Sequence, residues 1–447
     1  MSASPPTGAP SIAYDDVPLT RFHYRVALAS TGGVFSDGFG LGIIGTALAS
    51  AAPALLPTPV WNGLLGGASL AGLFIGALLT GPIADHLGRR RIFASNMAVL
   101  GVLSVAQYFA GSSATLFALR LAIGFVLGTD YVVSKALLTE FTPRRWRGAV
   151  MSSLSVAWAA GFASAYATGV ALSSAGPDAW HLMLLASAAP CLLILPLRLT
   201  MPESPLWLVD HDRPDEAAAV IRRKLGANAR LPERGPRERG GGGRWRQLFA
   251  SRWRRRTLVG CAFFTCQVIP YFAVGTFVSQ VLTALNARGG HTGGLLYNAA
   301  LLGGAGLGLV LVDRIPRRTF LVGSFALAAT VMLPLTLAHG LPPALLFVLF
   351  ALFAVALSAA SNLVYVYLPE LFPTDLRASG IGLAIAASRV GSAIGTFLLP
   401  ILIDEVGVRP ALGLCVAVLV VGALTCYAWA PETRGSHLAG SGPAAAN

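Results

Sequence analysis

Lysine is nearly missing from this chain. It stands at positions 135 and 224, and the rest of the 33 basic residues are arginine. Beside so much alanine and glycine, that bias points to a GC-rich bacterial genome. Charge of either sign is scarce. Only 12% of the 447 residues are charged, 55% are hydrophobic and the mean hydropathy is +0.66. Those values exclude an ordinary soluble domain and leave a polytopic membrane protein. The run G-x-x-x-x-G-K-[ST] is absent, which argues against direct drive by ATP from this chain. The five cysteines (191, 261, 266, 415 and 426) lie inside apolar runs, at neither disulfide nor metal spacing. They read as small core residues, and no metal and no cofactor is expected. The opening MSASPPTGAP has no basic region feeding an apolar core, so no cleaved signal peptide is expected. No catalytic constellation is visible, and an enzyme is not expected.

What is present is a net charge of +13, placed with a pattern. Apolar spans fall near 24–49, 61–83, 92–111, 115–138, 148–173 and 180–200, then near 257–285, 292–312, 318–338, 343–368, 378–402 and 408–430. Alternate loops carry the arginines: 89 to 91, 144, 145, 147, 314, 317, 318 and 377. The other hairpin loops carry almost none. Twelve spans with both termini in the cytoplasm satisfy the positive-inside rule. That placement accounts for the charge without a nucleic-acid partner. The expected partners are the lipid bilayer, a small-molecule substrate and protons, and a monomer is expected in a bacterial cell membrane.

The chain repeats itself. Residues 81–92, GPIADHLGRRRI, place Asp85 before Arg89 and Arg90; Asp313, 228 residues later, precedes Arg317 and Arg318. Glu140 is followed by Pro143 and Arg147, and Glu370, 230 residues on, by Pro373 and Arg377. Pro202-Glu203-Ser204 returns as Pro431-Glu432-Thr433 at an offset of 229. One offset shared by three landmarks indicates a duplicated unit.

The pattern G-x-x-x-D-x-x-G-R-R-R closely resembles the loop between helices 2 and 3 of the major facilitator superfamily of transporters. The paired Glu-x6-Arg segments, PESPLWL at 202–208 and PETRG at 431–435 resemble its sugar-porter branch. The resemblance covers about Arg25 to Gly435. It implies an all-α polytopic membrane protein with twelve transmembrane helices in two pseudo-symmetric six-helix bundles, working by alternating access. The corresponding division is a cytoplasmic tail over 1–22, bundles over 23–200 and 257–432, a cytoplasmic linker with short helices over 201–256, and a tail over 433–447. Glycines 240–243 read as a flexible joint and Arg252 to Arg256 as a basic stop before the second bundle. The resemblance also implies that Asp85, Arg89, Arg90, Glu140, Arg147, Asp313, Arg317, Glu370 and Arg377 form a cytoplasmic gate of salt bridges.

A charge in the hydrocarbon core costs at least ~2.5–3.5 kcal/mol, so each one needs a reason. Five stand out. Asp37, in F-S-D-G-F-G, resembles the helix 1 of organic-acid symporters, with Gly40 where that pattern has a second acid. Arg120 opens R-x3-G-x3-G with Gly124 and Gly128, and the family's arginine there is associated with proton coupling. Asp130 lies near the centre of the same span. Asp37, Arg120 and Asp130 are therefore the proton-coupling candidates, with Asp37 and Asp130 as the titratable pair. Lys135 and Arg389 are candidate partners for an anionic substrate. Each of these has a plainer reading: a packed structural aspartate, a snorkelling cation, an internal ion pair.

Gln267, Tyr271, Asn362 and Tyr365 join Lys135 and Arg389 as candidate substrate-binding residues, with Asn298 and Tyr367 as further polar lining. The stretch T-C-Q-V-I-P-Y-F-A departs from the sugar-porter pattern of adjacent glutamines, which argues against a hexose. The expected function is proton-coupled symport of a small organic metabolite, an organic or aromatic acid or a polyol-like compound. Efflux of a drug-like metabolite is the alternative, although 148–173 lacks the G-x-x-x-G-P-x-x-G-G run of drug–proton antiporters. A transporter-like sensor would call for a large soluble signalling domain, which is absent.

Overall fold

The computed structural model describes residues 12–51, 58–176, 178–226, 229–230, 246–285 and 289–433. Glycines 240–243 and residues 434–447, in the linker and the C-terminal tail, lie outside the described residues, as does the side chain of Asp85.

The first half contains α1 (Arg21–Ala51), α2 (Pro59–Leu87), α3 (Arg89–Tyr108), α4 (Ser113–Phe141), α5 (Arg144–Leu172), α6 (Ala179–Ala186) and α7 (Ala188–Leu199). Two short helices follow in the linker, α8 (Pro205–Asp210) and α9 (Pro214–Lys224). The second half contains α10 (Ser251–Thr276), α11 (Val278–Ala284), α12 (Gly290–Leu311), α13 (Arg317–Leu337), α14 (Pro343–Ser361), α15 (Leu363–Leu371), α16 (Thr374–Glu405) and α17 (Val408–Trp429). At 1.5 Å per residue, about 20 residues cross a hydrocarbon core of ~30 Å. Eleven described segments are long and apolar enough to do so, counting α6 and α7 as one. The twelfth is α3, 20 residues long, whose hydropathy is lowered by Arg89, Arg90 and Arg91.

The ends follow local chemistry. Thr58 and Ser112 cap α2 and α4 by accepting the N–H of Trp61 and Thr115. Pro143, Pro316 and Pro373 immediately precede α5, α13 and α16.

Three spans that read as continuous in the sequence are broken, at Ser187, Phe277 and Asn362. At two of them the side chain bonds back to its own helix: the Ser187 hydroxyl donates to the Leu184 carbonyl at 2.6 Å, and the Asn362 amide donates to Ala359 O at 3.4 Å. The break at Phe277 follows seven residues after Pro270, which lies inside α10.

Packing repeats between the halves. In the first, α1 packs on α5, α2 on α4 and α3 on α7; in the second, α10 packs on α16, α12 on α14 and α13 on α17. Gly124 is what lets α4 approach α2, since a Cβ there would lie 2.7 Å from the Ser69 Cα. The halves meet where α2 packs on α16 and α5 on α12.

Residues 12–20, read from the sequence as part of a tail, are fastened to the first half. Ile12–Ala13 pairs in parallel with Ala229–Arg230 of the linker. Asp15 meets Arg144 at 3.2 Å and Arg147 at 3.3 Å.

Candidate functional site

Between the halves lies a central cavity of about 80 Å³. Asp37, Tyr131 and Trp158 line it from α1, α4 and α5, and Phe264, Tyr271, Tyr365 and Arg389 from α10, α15 and α16. That is less than the ~300–1,000 Å³ of an ordinary ligand pocket, so in this state the walls are drawn together.

One wall carries Arg389, and Lys135 stands beside Tyr131 without lining the cavity itself. The Tyr131 ring is flanked by Lys135 Nζ, 3.3 Å from its centroid, and by the Arg389 guanidinium at 5.3 Å. Lys135 also lies 4.6 Å from the Tyr365 ring, and Arg389 lies 5.7 Å and 5.9 Å from the rings of Phe264 and Phe272. Aromatic faces hold these cations by their quadrupoles, at ~0.5–2 kcal/mol each. Neither cation makes an ion pair with a described acid, and Arg389 Nε is buried without a hydrogen-bond partner. Across the cavity Asp37 is 4% exposed, and its Oδ1 has no hydrogen-bond partner.

Asp130 is placed differently from Asp37. It does not line the cavity. It is fully buried against Arg198 of α7, which reaches both of its oxygens, the second at 2.9 Å. Arg198 also donates to the carbonyls of Ala29 and Phe93 at 3.1 Å and 3.0 Å, and Ser134 donates to Asp130 at 2.8 Å. This network ties α1, α3, α4 and α7 together. The sequence does not single out Arg198, because it stands near the end of an apolar run, where an arginine reads as a snorkelling residue.

Arg120 is 1% exposed. Its Nη1 donates to the Gly40 carbonyl at 2.9 Å, while Nε and Nη2 have no partner. Gly40 is where the resemblance places an acid, and a Cβ built there meets no atom within 4 Å. The cation is thus present without its expected counter-charge.

Of the remaining substrate candidates, Tyr271 and Tyr365 line the cavity and the others do not. Gln267 donates to Leu357 O and Ser361 Oγ, both at 2.9 Å. Asn362 bridges the halves, accepting from Ser155 at 3.1 Å and donating to Ala305 O at 3.1 Å. Asn298 donates to Gly294 O within its own helix, and Tyr367 donates to Pro431 O. Sequence reasoning overlooked Tyr131 and Trp158. Tyr131 had a readable signal, since it stands four residues before Lys135 on one face of α4.

The cavity is closed at the end away from the arginine-rich loops. There Asn62 donates to Gln280 at 3.1 Å and the Tyr166 and Ser279 hydroxyls are 2.7 Å apart. At the basic end the described ion pairs stay within each half. Arg89 meets Glu140, which also accepts from Ser204; Glu203 accepts the backbone N–H of Arg90 and of Ser204, both at 3.0 Å. In the second half Arg317 meets Glu370 at 3.6 Å and Asp313 at 3.4 Å, and Thr433 donates to Glu370. Glu432 accepts the N–H of Arg317 at 2.9 Å and of Arg318 at 3.0 Å. Arg377 donates to Pro369 O.

Six charges therefore lie between the ends of the spans: Asp37 and Asp130 against Arg120, Lys135, Arg198 and Arg389. Asp130 and Arg198 cancel. Of the remainder, Asp37 and Arg389 line the cavity, while Lys135 stands beside Tyr131 and Arg120 is buried against Gly40, neither on the lining; the net positive charge suits an anion.

The comparisons with known proteins agree with this architecture. The model of the sugar (and other) transporter family matches residues 25–441. The inner membrane metabolite transport protein YgcS of Escherichia coli K12 is 40% identical over 432 residues, covering 96% of each chain. The niacin transporter NiaP of Acinetobacter baylyi is 24% identical over 95% of this chain and 97% of its own. Among solved structures, the inward-open xylose transporter XylE of E. coli superposes with a TM-score of 0.78 at 20% identity, over 93% of this chain and 98% of that one.

Proposed function

The chain belongs to the sugar (and other) transporter family, and from that premise we propose that it carries a small organic anion together with a proton. It is a secondary transporter of the major facilitator fold. The proposed direction is uptake into a bacterial cell, by a monomer with both termini and the arginine-rich loops in the cytoplasm.

The observation that carries the substrate class is the uncompensated charge. Lys135 and Arg389 flank Tyr131, and neither makes an ion pair with a described acid. An organic anion supplies the missing charge, and the aromatic walls suit a planar ring next to its carboxylate. Niacin, the compound named for one relative, is a pyridine carboxylate. The solved xylose transporter points to a sugar, but at 20% identity it supports the fold only. Drug efflux, the alternative raised by the sequence, gains nothing from relatives named as metabolite transport proteins.

The coupling proposal rests on Asp37. It lines the cavity with one oxygen free, so a proton there answers directly to what occupies the cavity. One anion bound at the cations and one proton bound at Asp37 leave the midplane charge unchanged. Loaded and empty carriers then reorient at similar electrostatic cost, which is the condition for symport. In the described state the two halves are joined by hydrogen bonds at the end away from the arginine-rich loops. Reorientation separates Asn62 from Gln280 and Tyr166 from Ser279.

The test is competition for uptake into proteoliposomes. Nicotinate and benzoate are expected to compete for the carrier and xylose not to, and Arg389→Leu should abolish the carboxylate signal. Competition by xylose but by neither carboxylate would remove the anion reading.

A further inference from the structure

A second cavity, about 890 Å³, lies at the basic end of the first half, remote from the central site. Its walls are the turn from α2 to α3, the end of α7 and the linker helices α8 and α9. Five cations face it, Arg90, Arg91, Arg213, Arg223 and Lys224, against two acids, Glu203 and Glu216. Both acids are already engaged. Glu203 accepts the N–H of Arg90 and of Ser204, and Glu216 is held by the Arg213 fork through two bonds of 2.7 Å. Arg91, Arg223 and Lys224 make no ion pair with a described residue.

A further donor points to a ligand. The Trp207 side chain lines the cavity, and its Nε1 is buried without a hydrogen-bond partner. A buried indole N–H left unmade is costly, so a site that supplies an acceptor is favoured. Two unpaired arginines, Lys224 with only the Phe22 ring 5.7 Å away, an unpartnered indole N–H and this volume match an oxyanion with several acceptor oxygens rather than a single carboxylate.

The surroundings point to the bilayer surface. Leu87 and Leu199, on the cavity wall, are 51% and 56% exposed, and Leu193, less than two turns away on α7, is 84% exposed. Apolar side chains left bare beside a basic cavity at the end of a span suit acyl chains below and an anionic headgroup within.

We infer that this cavity binds a phosphate group, presented either by an anionic phospholipid or by a soluble phosphate. Binding joins the α2–α3 turn, which carries Arg89 of the Arg89–Glu140 pair, to α9 of the linker. The ligand therefore fastens the linker to the first bundle.

The test is thermal melting of the purified full-length protein in detergent, titrated separately with phosphatidylglycerol, phosphatidylcholine and sodium phosphate. The pocket variant is Arg91→Gln/Arg223→Gln/Lys224→Gln. The control is Arg252→Gln/Arg254→Gln/Arg255→Gln, which removes three exposed arginines from the start of α10. Phosphatidylglycerol is expected to raise the Tm of wild type and control by about 3 °C or more, and phosphatidylcholine not to. The pocket variant should lose most of that rise. A rise with sodium phosphate alone assigns a soluble ligand; a rise with phosphatidylglycerol alone assigns a lipid. An equal rise in wild type and pocket variant, or an equal loss in the control, overturns the inference. Should the pocket variant fail to elute as a single species, Trp207→Phe serves in its place. It keeps the ring and removes the donor, and phosphatidylglycerol retained in native mass spectrometry should fall several-fold. Unchanged retention counts against the site.

Discussion

Arg89 meets Glu140 in the first half of the chain, and Arg317 meets Glu370 in the second. Glu203 takes the N–H at the start of α3, and Glu432 takes those at the start of α13. In these pairs the basic ends of the two bundles are built alike. The midplane is not. The first half holds Asp37, Arg120, Lys135 and the buried Asp130–Arg198 pair, whereas the second contributes Arg389 alone. A duplicated chain keeps in both copies what holds each bundle together. It departs from symmetry where it must recognise a substrate that is itself asymmetric. On that reading the shared clamps are scaffold and the unmatched charges serve function, with one exception: the Asp130–Arg198 pair is unmatched, yet its two charges answer each other.

That exception gives the largest expected effect. Asp130→Asn leaves Arg198 buried without its counter-charge and should cost about 3–5 kcal/mol, seen as a large fall in Tm. Asp37→Asn should leave Tm nearly unchanged while proton movement is lost. Equal melting losses in the two variants would erase the distinction between them.

Next comes the cationic wall. Arg389→Leu should lower carboxylate uptake at least ten-fold, about 1.4 kcal/mol, with the fold intact by melting. Arg389→Lys should retain part of the uptake, since the charge remains but the planar stacking does not.

The clamps should behave as a matched pair. Arg89→Gln and Arg317→Gln are each expected to cost about 1 kcal/mol, because both pairs sit partly open to solvent. A several-fold difference between them in denaturant unfolding would show that the two ends are not equivalent.

The smallest effect belongs to the contact that only the first half has. Asp15 meets Arg144 and Arg147 across side chains that are 15%, 71% and 30% exposed. Asp15→Asn should cost about 0.2–1 kcal/mol in low salt and almost nothing in high salt.

The basic ends were largely legible in the sequence because their charges recur at fixed offsets, and the clamp geometry pairs most of those positions. The helices were legible as apolar runs of the right length, but the breaks at Ser187 and Asn362 were not. Their side chains bond back to the same helix, but so do those of Thr129 and Ser153 within continuous helices, so no local signal marks the breaks. The partner of Asp130 was not legible, because Arg198 lies 68 residues away and no local spacing links the two. Asp37 and Arg389 were recognisable as mid-span charges on the cavity. Tyr131 and Trp158 were not, since the rotation of a helix decides which aromatic residues face inward, and apolar positions surround these helices on every side. Arg120 was visible, whereas its solitude was not: it follows from Gly40, where the side chain that would answer it is missing.

In the proposed mechanism an organic anion and a proton cross together, with Asp37 carrying the proton. The most direct measurement is external pH around proteoliposomes after adding nicotinate, with wild type and Asp37→Asn side by side. Alkalinisation outside that follows the substrate in wild type and vanishes in Asp37→Asn is the expected result. Nicotinate uptake with no proton movement in wild type, or with proton movement that survives Asp37→Asn, would contradict it.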